Sequence, residues 1–363
     1  MTPLESEIRR IIAADGPMPV GRFMTLCLAH PVHGYYVSRD PLGAAGDFVT
    51  APEVSQMFGE LLGLWAAAVW RQMGSPPHIR LVELGPGRGT MMADALRAVR
   101  ILPELRAALS VDLVETSPVL RRRQQQTLAD PGVPIAWHGD FAEVGDGPLI
   151  VIANEFLDAL PVDQLVRAAD GWHARMVGLG ADGRLAFAVH PDAIPRADAI
   201  VPSQLRDAPL GAVYECRSNR LVAGVAERVV GDGGAALVID YGHLEPAVGE
   251  TLQAVRGHRH VGVLDDPGEA DLTAHVDFAA VARSAERAGA RVHGPIRQGD
   301  LLRRLGIDAR AARLKAAATP DQAVAIDAAL ARLAGAGPAD MGHLFKAIAF
   351  AAPRLGPLPG FDS

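Results

Sequence analysis

A glycine-rich turn is the first feature of the sequence that can bind a ligand. Residues 83–90 read Glu-Leu-Gly-Pro-Gly-Arg-Gly-Thr; they follow the apolar run 79–84 and lead into a helical stretch. Glycines at such a turn let a ligand approach the backbone, and the next helix presents free N–H groups and a positive dipole end. The dinucleotide fingerprint G-x-G-x-x-G requires glycine where this chain has Thr90. The pattern therefore indicates a nucleotide-type cofactor or a purely structural turn.

Acidic side chains follow the next two predicted strands. Glu115 closes the apolar run 111–114, where a carboxylate can accept hydrogen bonds from both ribose hydroxyls of any adenosine ligand. Asp140 and Phe141 follow the run 135–137, where the acid can accept the adenine amino proton and the ring can cover the base. Alternatively, Asp140 is a solvated acid in a turn and Phe141 is an aromatic residue of the core.

A third polar group follows the predicted strand 149–153. Asn154, Glu155 and Asp158 come directly after it, and Pro161 ends the segment. Open α/β sheets bind ligands at this edge, outside the carboxyl ends of the strands. We therefore expect catalytic residues here, with helix capping as the alternative.

The irregular, glycine-bearing segment 34–53 lies between two helical stretches. Long loops of this kind are often functional, so we expect this one to form a lid over the site. Asp47 and Glu53 would bring acidity to the substrate; the alternative is a pair of exposed loop acids.

A cluster of histidines allows a rival interpretation as a metal hydrolase. His258 and His260 would point to one side of a strand, and His275 and Asp277 follow further along the chain. Residues 273–277 fit equally well as the polar start of a helix, so no metal is predicted and His275 is a candidate substrate contact.

Strands and helices alternate after residue 75, which predicts an α/β fold with a doubly wound, mostly parallel sheet. Helices dominate before that point: the order Thr2, Pro3, Glu5 is a helix-capping pattern. The remaining predicted elements are helices at 52–73, 219–230, 276–288 and 321–333, a sheet strand at 235–239, a hairpin meander at 165–169, 172–178 and 184–189, and an edge strand at 344–351.

Composition excludes several classes of protein. The chain has 363 residues, 49% hydrophobic and 21% charged, so it can bury an ordinary core. Its formal charge of −7 lacks the basic signature of nucleic-acid binding. The first eight residues carry acids where a signal peptide is basic, and no apolar stretch is long enough for membrane insertion. We therefore expect a cytoplasmic protein.

Seven motifs in order give the chain a resemblance to the MidA family. The form acidic-x-G-x-G-x-G at 83–89 resembles the first motif of class I methyltransferases that use S-adenosylmethionine. The motifs are Gly46-Asp-Phe-Val-Thr-Ala-Pro-Glu53, Glu83-Leu-Gly-Pro-Gly-Arg-Gly89, Val114-Glu-Thr-Ser117, Ala153-Asn-Glu-Phe-Leu-Asp-Ala-Leu-Pro161, Ile239-Asp-Tyr-Gly242, Asp271-Leu-Thr-Ala-His-Val-Asp-Phe278 and Met341-Gly-His-Leu-Phe-Lys346.

The resemblance implies a class I methyltransferase core, S-adenosyl-L-methionine as cofactor and a protein arginine as substrate. The family includes a mitochondrial arginine methyltransferase that assists assembly of respiratory complex I, so a complex I subunit is a candidate partner. The implied cofactor contacts are Glu83, Gly85, Gly87, Gly89, Glu115, Asp140 and Phe141. Asn154, Glu155 and Asp158 are the implied catalytic residues, Glu155 being the first choice to hold a guanidinium.

Three regions are expected: a helical N-terminal lid at 1–75, a methyltransferase core at 76–161 and 217–363, and an insertion with the β-meander at 162–216. Two functions compete with methyl transfer. One is a catalytically idle assembly factor that binds a partner protein through the same fold. The other is a nicotinamide oxidoreductase, which Thr90 disfavours.

Overall fold

The computed structural model describes residues 1–38 and 49–361, so Asp47 lies outside the described residues. The α-helices are Pro3–Asp15 (α1), Val20–Ala29 (α2), Tyr35–Ser38 (α3), Ala51–Val54 (α4), Gln56–Gln72 (α5), Thr90–Ala98 (α6), Pro103–Ala108 (α7), Pro118–Thr127 (α8), Arg220–Asp232 (α9), Phe278–Arg287 (α10), Gln298–Arg304 (α11), Ile307–Lys315 (α12), Pro320–Ala334 (α13) and Met341–Leu344 (α14). The 3-10 helices are Val99–Ile101, Phe141–Glu143, Ala197–Ala199 and Ser203–Leu205.

The strands are Met18–Pro19 (β1), Ile79–Leu84 (β2), Leu109–Val114 (β3), Ile135–His138 (β4), Leu149–Asn154 (β5), Val162–Ala168 (β6), Gly171–Leu179 (β7), Leu185–Ala193 (β8), Val213–Arg217 (β9), Gly234–His243 (β10), Gln253–Arg256 (β11), Arg259–Val261 (β12), Asp271–Thr273 (β13), Val276–Asp277 (β14), Arg291–Arg297 (β15) and Phe345–Ala351 (β16).

The chain divides into two compact units. The sheet unit comprises Val49–Leu157, Asn219–Leu244 and Phe278–Ser363 as far as they are described. The meander unit comprises the described parts of Met1–Phe48, together with Asp158–Ser218 and Glu245–Asp277. The predicted division into a lid at 1–75, a core at 76–161 and 217–363 and an insertion at 162–216 stays a prediction.

The sheet unit is built on strands in the order β15-β16-β10-β5-β2-β3-β4. The five strands from β10 to β4 are parallel, and β16 is antiparallel to both of its neighbours. Chain order reverses at β2, which pairs with β3 on one side and β5 on the other. Such a switch point is where open α/β sheets bind ligands. The predicted doubly wound, mostly parallel α/β sheet is confirmed.

Two glycines let the sheet unit pack its helices closely. A Cβ atom on Gly59 would lie 2.8 Å from the carbonyl oxygen of Met91, and one on Gly63 would lie 2.7 Å from Cα of Ala95. Because these glycines are one helical turn apart on α5, the backbone of α6 can approach that face. The other faces of α5 bury large side chains, including Phe58 and Trp65, in the main core.

The meander unit is antiparallel. Strands β6, β7 and β8 pair in succession, as predicted, and β9 adds to the free side of β6. A smaller sheet has the order β12-β11-β13. Helix α1 begins as predicted: the side chain of Thr2 accepts a hydrogen bond from the backbone N–H of Glu5, and α1 buries Leu4, Ile8 and Ile12.

Three sequence-based predictions are wrong in detail. The strand predicted at 344–351 is not an edge strand, because β15 pairs with its outer side. Strand β15 contains a Gly-Pro pair and two arginines, so it has no apolar run to reveal it. The helix predicted at 52–73 is interrupted at Ser55, whose backbone is extended and whose side chain caps α5. The helix predicted from residue 276 begins at Phe278.

Candidate cofactor and active site

The glycine turn joins β2 to α6 at the switch point of the parallel sheet. Its three glycines have positive φ angles, +64° at Gly85, +53° at Gly87 and +81° at Gly89. This left-handed conformation favours glycine, which explains the residue type at each position. A Cβ atom on Gly85 would lie 2.5 Å from the ring of Phe156, so the loop after β5 runs directly beside the turn.

Two buried carboxyl groups lie beside the turn. Glu83, on β2, is 3% exposed, and its Oε2 has no hydrogen-bond partner among the described residues. Burial, together with the Glu115 carboxylate, raises the pKa of Glu83 from 4.5 to about 8. Burial also raises the pKa of Glu115, and the N–H donors of Ser117 and Gln124 act in the opposite direction. This edge of the sheet is thus rich in acceptors and short of donors.

Glu115 follows β3 and is held from two sides. Its Oε1 accepts a hydrogen bond from the backbone N–H of Ser117 at 2.7 Å, and its Oε2 accepts one from Nε2 of Gln124 at 3.2 Å. A carboxylate offers about four lone-pair sites, so it retains capacity for hydroxyl donors of a ligand. The buried position at the strand end suits the predicted ribose contact.

The loop after β5 carries the predicted catalytic pair. Glu155 has a φ angle of +49°, an unusual value for a residue with a side chain. Its Oε1 accepts hydrogen bonds from the backbone N–H of Ala51 at 2.8 Å and from Nδ2 of Asn154 at 3.0 Å. The buried Oδ1 of Asn154 has no partner among the described residues. Backbone strain of this kind clusters at functional sites.

Asp240, on β10, holds the backbone of this loop. No role was assigned to it from the sequence. Its side chain is fully buried, and its Oδ2 accepts hydrogen bonds from the backbone N–H groups of Phe156 at 3.2 Å and Leu157 at 2.9 Å. Its Oδ1 accepts one from Tyr241 at 2.9 Å. Asp240 therefore determines the path of the chain immediately after Glu155.

Glu53 is placed at the glycine turn. Its Oε1 accepts a hydrogen bond from the hydroxyl of Thr90 at 2.5 Å, and its Oε2 lies 4.0 Å from the guanidinium of Arg88. These contacts favour a role in holding the turn; the predicted contact between Glu53 and substrate stays a prediction.

Asp140 and Phe141 lie after β4 as expected, but the Asp140 carboxylate makes a local contact. The Asp140 carboxylate is exposed and caps a short 3-10 helix by accepting a hydrogen bond from Ala142 at 2.8 Å. Phe141 is buried, with the guanidinium of Arg228 5.9 Å from its ring centre. Their adenine contacts stay predictions.

Asp158 and His275 belong to the meander unit. The Asp158 carboxylate accepts a hydrogen bond from the N–H of Ala159 at 2.8 Å, and the N–H of His275 donates to the hydroxyl of Thr251. His260 lies on β12, whereas His258 precedes that strand in a left-handed turn, so the two do not share a strand face. No group of three or more metal-binding side chains is formed within the described residues.

Comparison with known proteins identifies the family. The model of the Methyltransf_28 family, which describes S-adenosyl-L-methionine-dependent methyltransferases, matches residues 61–296. The chain belongs to this family. Methyltransf_28 covers the glycine turn, both buried glutamates and the loop after β5, so the sequence-based resemblance to S-adenosylmethionine-dependent methyltransferases is confirmed. The same finding does not favour the oxidoreductase alternative.

Curated relatives cover most of the chain. The "Protein arginine methyltransferase NDUFAF7 homolog, mitochondrial" of Drosophila melanogaster is 37% identical over 95% of this chain and 84% of its own length. The human "Protein arginine methyltransferase NDUFAF7, mitochondrial" is 36% identical over 85% of this chain and 75% of its own length. The expectation of a cytoplasmic protein is wrong, because these relatives are mitochondrial. It rested on the first residues of the sequence, which do not decide the compartment.

A solved structure supports the same cofactor. A COG1565 superfamily member from Burkholderia thailandensis, crystallised with S-adenosyl-homocysteine, is 31% identical and superposes with a TM-score of 0.85 over 99% of this chain and 94% of its own. S-adenosyl-L-methionine is thus the cofactor of this methyltransferase. The residues present fit it: no donor among the described residues reaches the buried Oε2 of Glu83 or Oδ1 of Asn154, and this cofactor carries ammonium and hydroxyl donors.

Two buried polar residues near the site were missed from the sequence, Gln124 and Asp240. Asp240 follows an apolar run in the same way as Glu115, a signal that could have identified it. Gln124 is one of three successive glutamines on α8, and nothing in the sequence distinguishes it from its neighbours.

Proposed function

We propose that this methyltransferase transfers the methyl group of S-adenosyl-L-methionine to an arginine of a protein, with a subunit of respiratory complex I as the candidate substrate. The curated relatives named above are protein arginine methyltransferases and align with most of the chain. The observation that carries the proposal is the Glu155 carboxylate, held on a left-handed loop beside the glycine turn.

The cofactor would be held at the carboxyl edge of β2 and β3. Gly85, Gly87 and Gly89 leave room for its methionine part, and Glu115 accepts from the ribose hydroxyls. Glu83, on β2, contributes a buried carboxyl oxygen without a partner among the described residues. When bound, the cofactor supplies a methyl group already activated on a sulfonium, so the protein mainly has to align the nucleophile and exclude water.

A carboxylate suits an arginine substrate for a specific reason. A guanidinium has a pKa above ~12, so a carboxylate cannot simply deprotonate it. The carboxylate can instead bind it through paired hydrogen bonds and localise its charge away from the attacking nitrogen. The proton then leaves late, to a carboxylate oxygen. Glu155 is the first candidate for this role.

Neighbouring residues fix the Glu155 carboxylate in place. Asn154 and the N–H of Ala51 both donate to its Oε1, and Asp240 anchors the two residues that follow it. Asp158 remains the second candidate for holding the guanidinium. These contacts keep the carboxylate oriented before substrate arrives, which is how a site gains rate from position.

Replacing Glu155 by Gln tests this assignment, because it preserves shape and removes the charge. We expect turnover to fall by about 10²–10⁴-fold, the range typical of a positioned proton acceptor. Cofactor affinity should stay near the wild-type value. Incorporation of labelled methyl groups into a lysate, with calorimetry on the same variant, measures both. Glu104→Gln, at an exposed acid on α7, is the matched control.

The outcomes separate three assignments. Normal incorporation by Glu155→Gln removes Glu155 from the catalytic residues, and lost cofactor affinity reassigns it to the cofactor pocket. An assembly factor without catalytic activity would show no incorporation in the wild type. The comparisons do not favour that alternative, since the named relatives are methyltransferases.

The arginine and the complex I substrate need separate tests. Hydrolysis of the labelled protein and analysis for methylarginine identifies the modified side chain. Mass spectrometry of complex I subunits from cells that lack this protein should show one arginine methyl mark lost, and the wild-type gene should restore it. A mark restored equally by Glu155→Gln would contradict the catalytic role.

A further inference from the structure

Gln124 is a buried amide that joins three parts of the cofactor site. It lies on α8, and its side chain is fully buried. Its Nε2 donates to the carbonyl oxygen of Gly87 at 2.8 Å and to Oε2 of Glu115 at 3.2 Å. Its Oε1 accepts from the indole Nε1 of Trp137 at 3.0 Å. One side chain thus links the glycine turn, the end of β3 and strand β4.

The chemistry of Trp137 fixes which end of the amide points where. An indole N–H only donates, so it requires the amide oxygen opposite it. The amide nitrogen must then face Gly87 and Glu115, both of which present acceptors. The two N–H groups of Gln124 are therefore directed at those acceptors, and a rotation of the amide by 180° would leave all three groups mismatched.

Glu115 is consequently held at both of its oxygens. The N–H of Ser117 holds Oε1 from its own loop, and Gln124 holds Oε2 from α8. The lone pairs that remain point in a fixed direction before any ligand binds. The hydrogen bond from Gln124 to the Gly87 carbonyl also stabilises the left-handed backbone of the turn. Preorganisation of this kind raises affinity by removing the entropy cost of ordering these groups on binding.

We propose that Gln124 is a positioning residue for the cofactor: it orients the Glu115 carboxylate and the Gly87 carbonyl so that S-adenosyl-L-methionine meets a preformed site. The inference rests on the proposed placement of the cofactor at the glycine turn. It assigns a role to a residue that does not itself need to touch the ligand.

The test is Gln124→Met, a change that keeps length and removes all three hydrogen bonds. We expect the Kd for S-adenosyl-L-methionine and for S-adenosyl-homocysteine to rise together by about 10–100-fold, because Glu115 and the Gly87 turn must then be ordered on binding. Gln125→Met, at the exposed neighbour on the same helix, should change either Kd by less than about twofold. Isothermal calorimetry measures both ligands.

A double-mutant cycle separates positioning from general damage. If Gln124 acts through Glu115, Gln124→Met should weaken binding much less in a Glu115→Ala background than in the wild type. Equal fold-changes in the two backgrounds would overturn the inference. The difference in tryptophan emission between Gln124→Met and Gln125→Met provides a spectroscopic check, because the Trp137 indole loses its acceptor only in Gln124→Met.

Two further variants keep the proposal testable. If Gln124→Met does not fold, Trp137→Phe serves instead, because it removes the hydrogen bond to the Gln124 amide oxygen. It should weaken the binding of both ligands by about 2–5-fold. Unchanged affinity in Trp137→Phe contradicts the proposal. Gly87→Val distinguishes the two levels of inference. Normal binding in Gly87→Val overturns the cofactor placement itself, whereas lost binding in Gly87→Val with normal binding in Gln124→Met overturns only the role of Gln124.

Discussion

Two carboxylate centres in this protein are built in opposite ways. In the meander unit, Glu215 on β9 accepts hydrogen bonds from Nε2 of Gln164 at 2.7 Å and from the N–H groups of Thr251 and Leu252 at 3.1 and 3.0 Å. The hydroxyl of Thr251 also donates to it. Several donors thus surround one acid. Their hydrogen bonds connect Thr251 and Leu252, which follow β10, to the antiparallel sheet.

In the sheet unit, Glu83 has the reverse arrangement. Its Oε2 has no partner among the described residues, and the Glu115 carboxylate adds to the burial that raises its pKa. A buried acceptor without a donor costs folding free energy, and a second negative charge adds to the cost. Fully satisfied carboxylates hold a fold together, whereas poorly satisfied ones persist where a ligand completes them.

Gly87→Val should have the largest effect, a loss of cofactor binding at the sheet-unit centre. A branched side chain at a φ angle of +53° is strained by ~1–3 kcal/mol and would fill the space that we propose for the methionine part of the cofactor. We expect cofactor affinity to fall by more than about 100-fold while the fold is retained, measured by calorimetry and circular dichroism. Gly356→Val, where open space surrounds the Cβ position, is the control. Wild-type affinity in Gly87→Val would remove the turn from the cofactor site.

Glu215→Ala should lower the stability of the fold and leave cofactor binding unchanged. Removal of this carboxylate leaves Gln164, Thr251 and Leu252 without their acceptor, which costs about 1–3 kcal/mol of folding free energy. Urea unfolding should show that loss, and the affinity for S-adenosyl-homocysteine should stay within about twofold of wild type. Asp207→Ala, at an exposed acid of the same unit, should leave both unchanged. A strong loss of cofactor affinity in Glu215→Ala would show that the Glu215 centre also contributes to cofactor binding, which contradicts the comparison.

The parallel sheet was predictable from the sequence because its strands are continuous apolar runs. The run at 79–84 matches β2, and β3, β4 and β5 extend the predicted strands by only one or two residues. Strand β15 was not predictable, since arginines stand at both of its ends and a Gly-Pro pair interrupts it. Its place in the sheet depends on pairing with β16, a long-range contact that local patterns do not contain.

The candidate site divides in the same way. Glycines and acids at strand ends were visible, because a turn that needs positive φ selects glycine and the edge of a parallel sheet gathers the residues after its strands. Gln124 was invisible: its importance comes from burial against Gly87, Glu115 and Trp137, which only the folded chain brings together. Patterns identify chemistry along the chain, and supporting contacts require the tertiary structure.

Glu83→Gln should sharpen the comparison through a change in how stability depends on pH. In the folded protein the pKa of Glu83 is raised to about 8 from an ordinary value of 4.5. The folded state therefore binds more protons than the unfolded state between these values, and its stability must fall as pH rises through that window. Glutamine stays neutral throughout, so it lacks this dependence. In urea unfolding without cofactor, the wild type should lose stability relative to Glu83→Gln from about pH 5 to pH 8 and then level off. Parallel pH profiles for the two proteins would mean that Glu83 is satisfied in solution, and that the contrast with Glu215 is wrong.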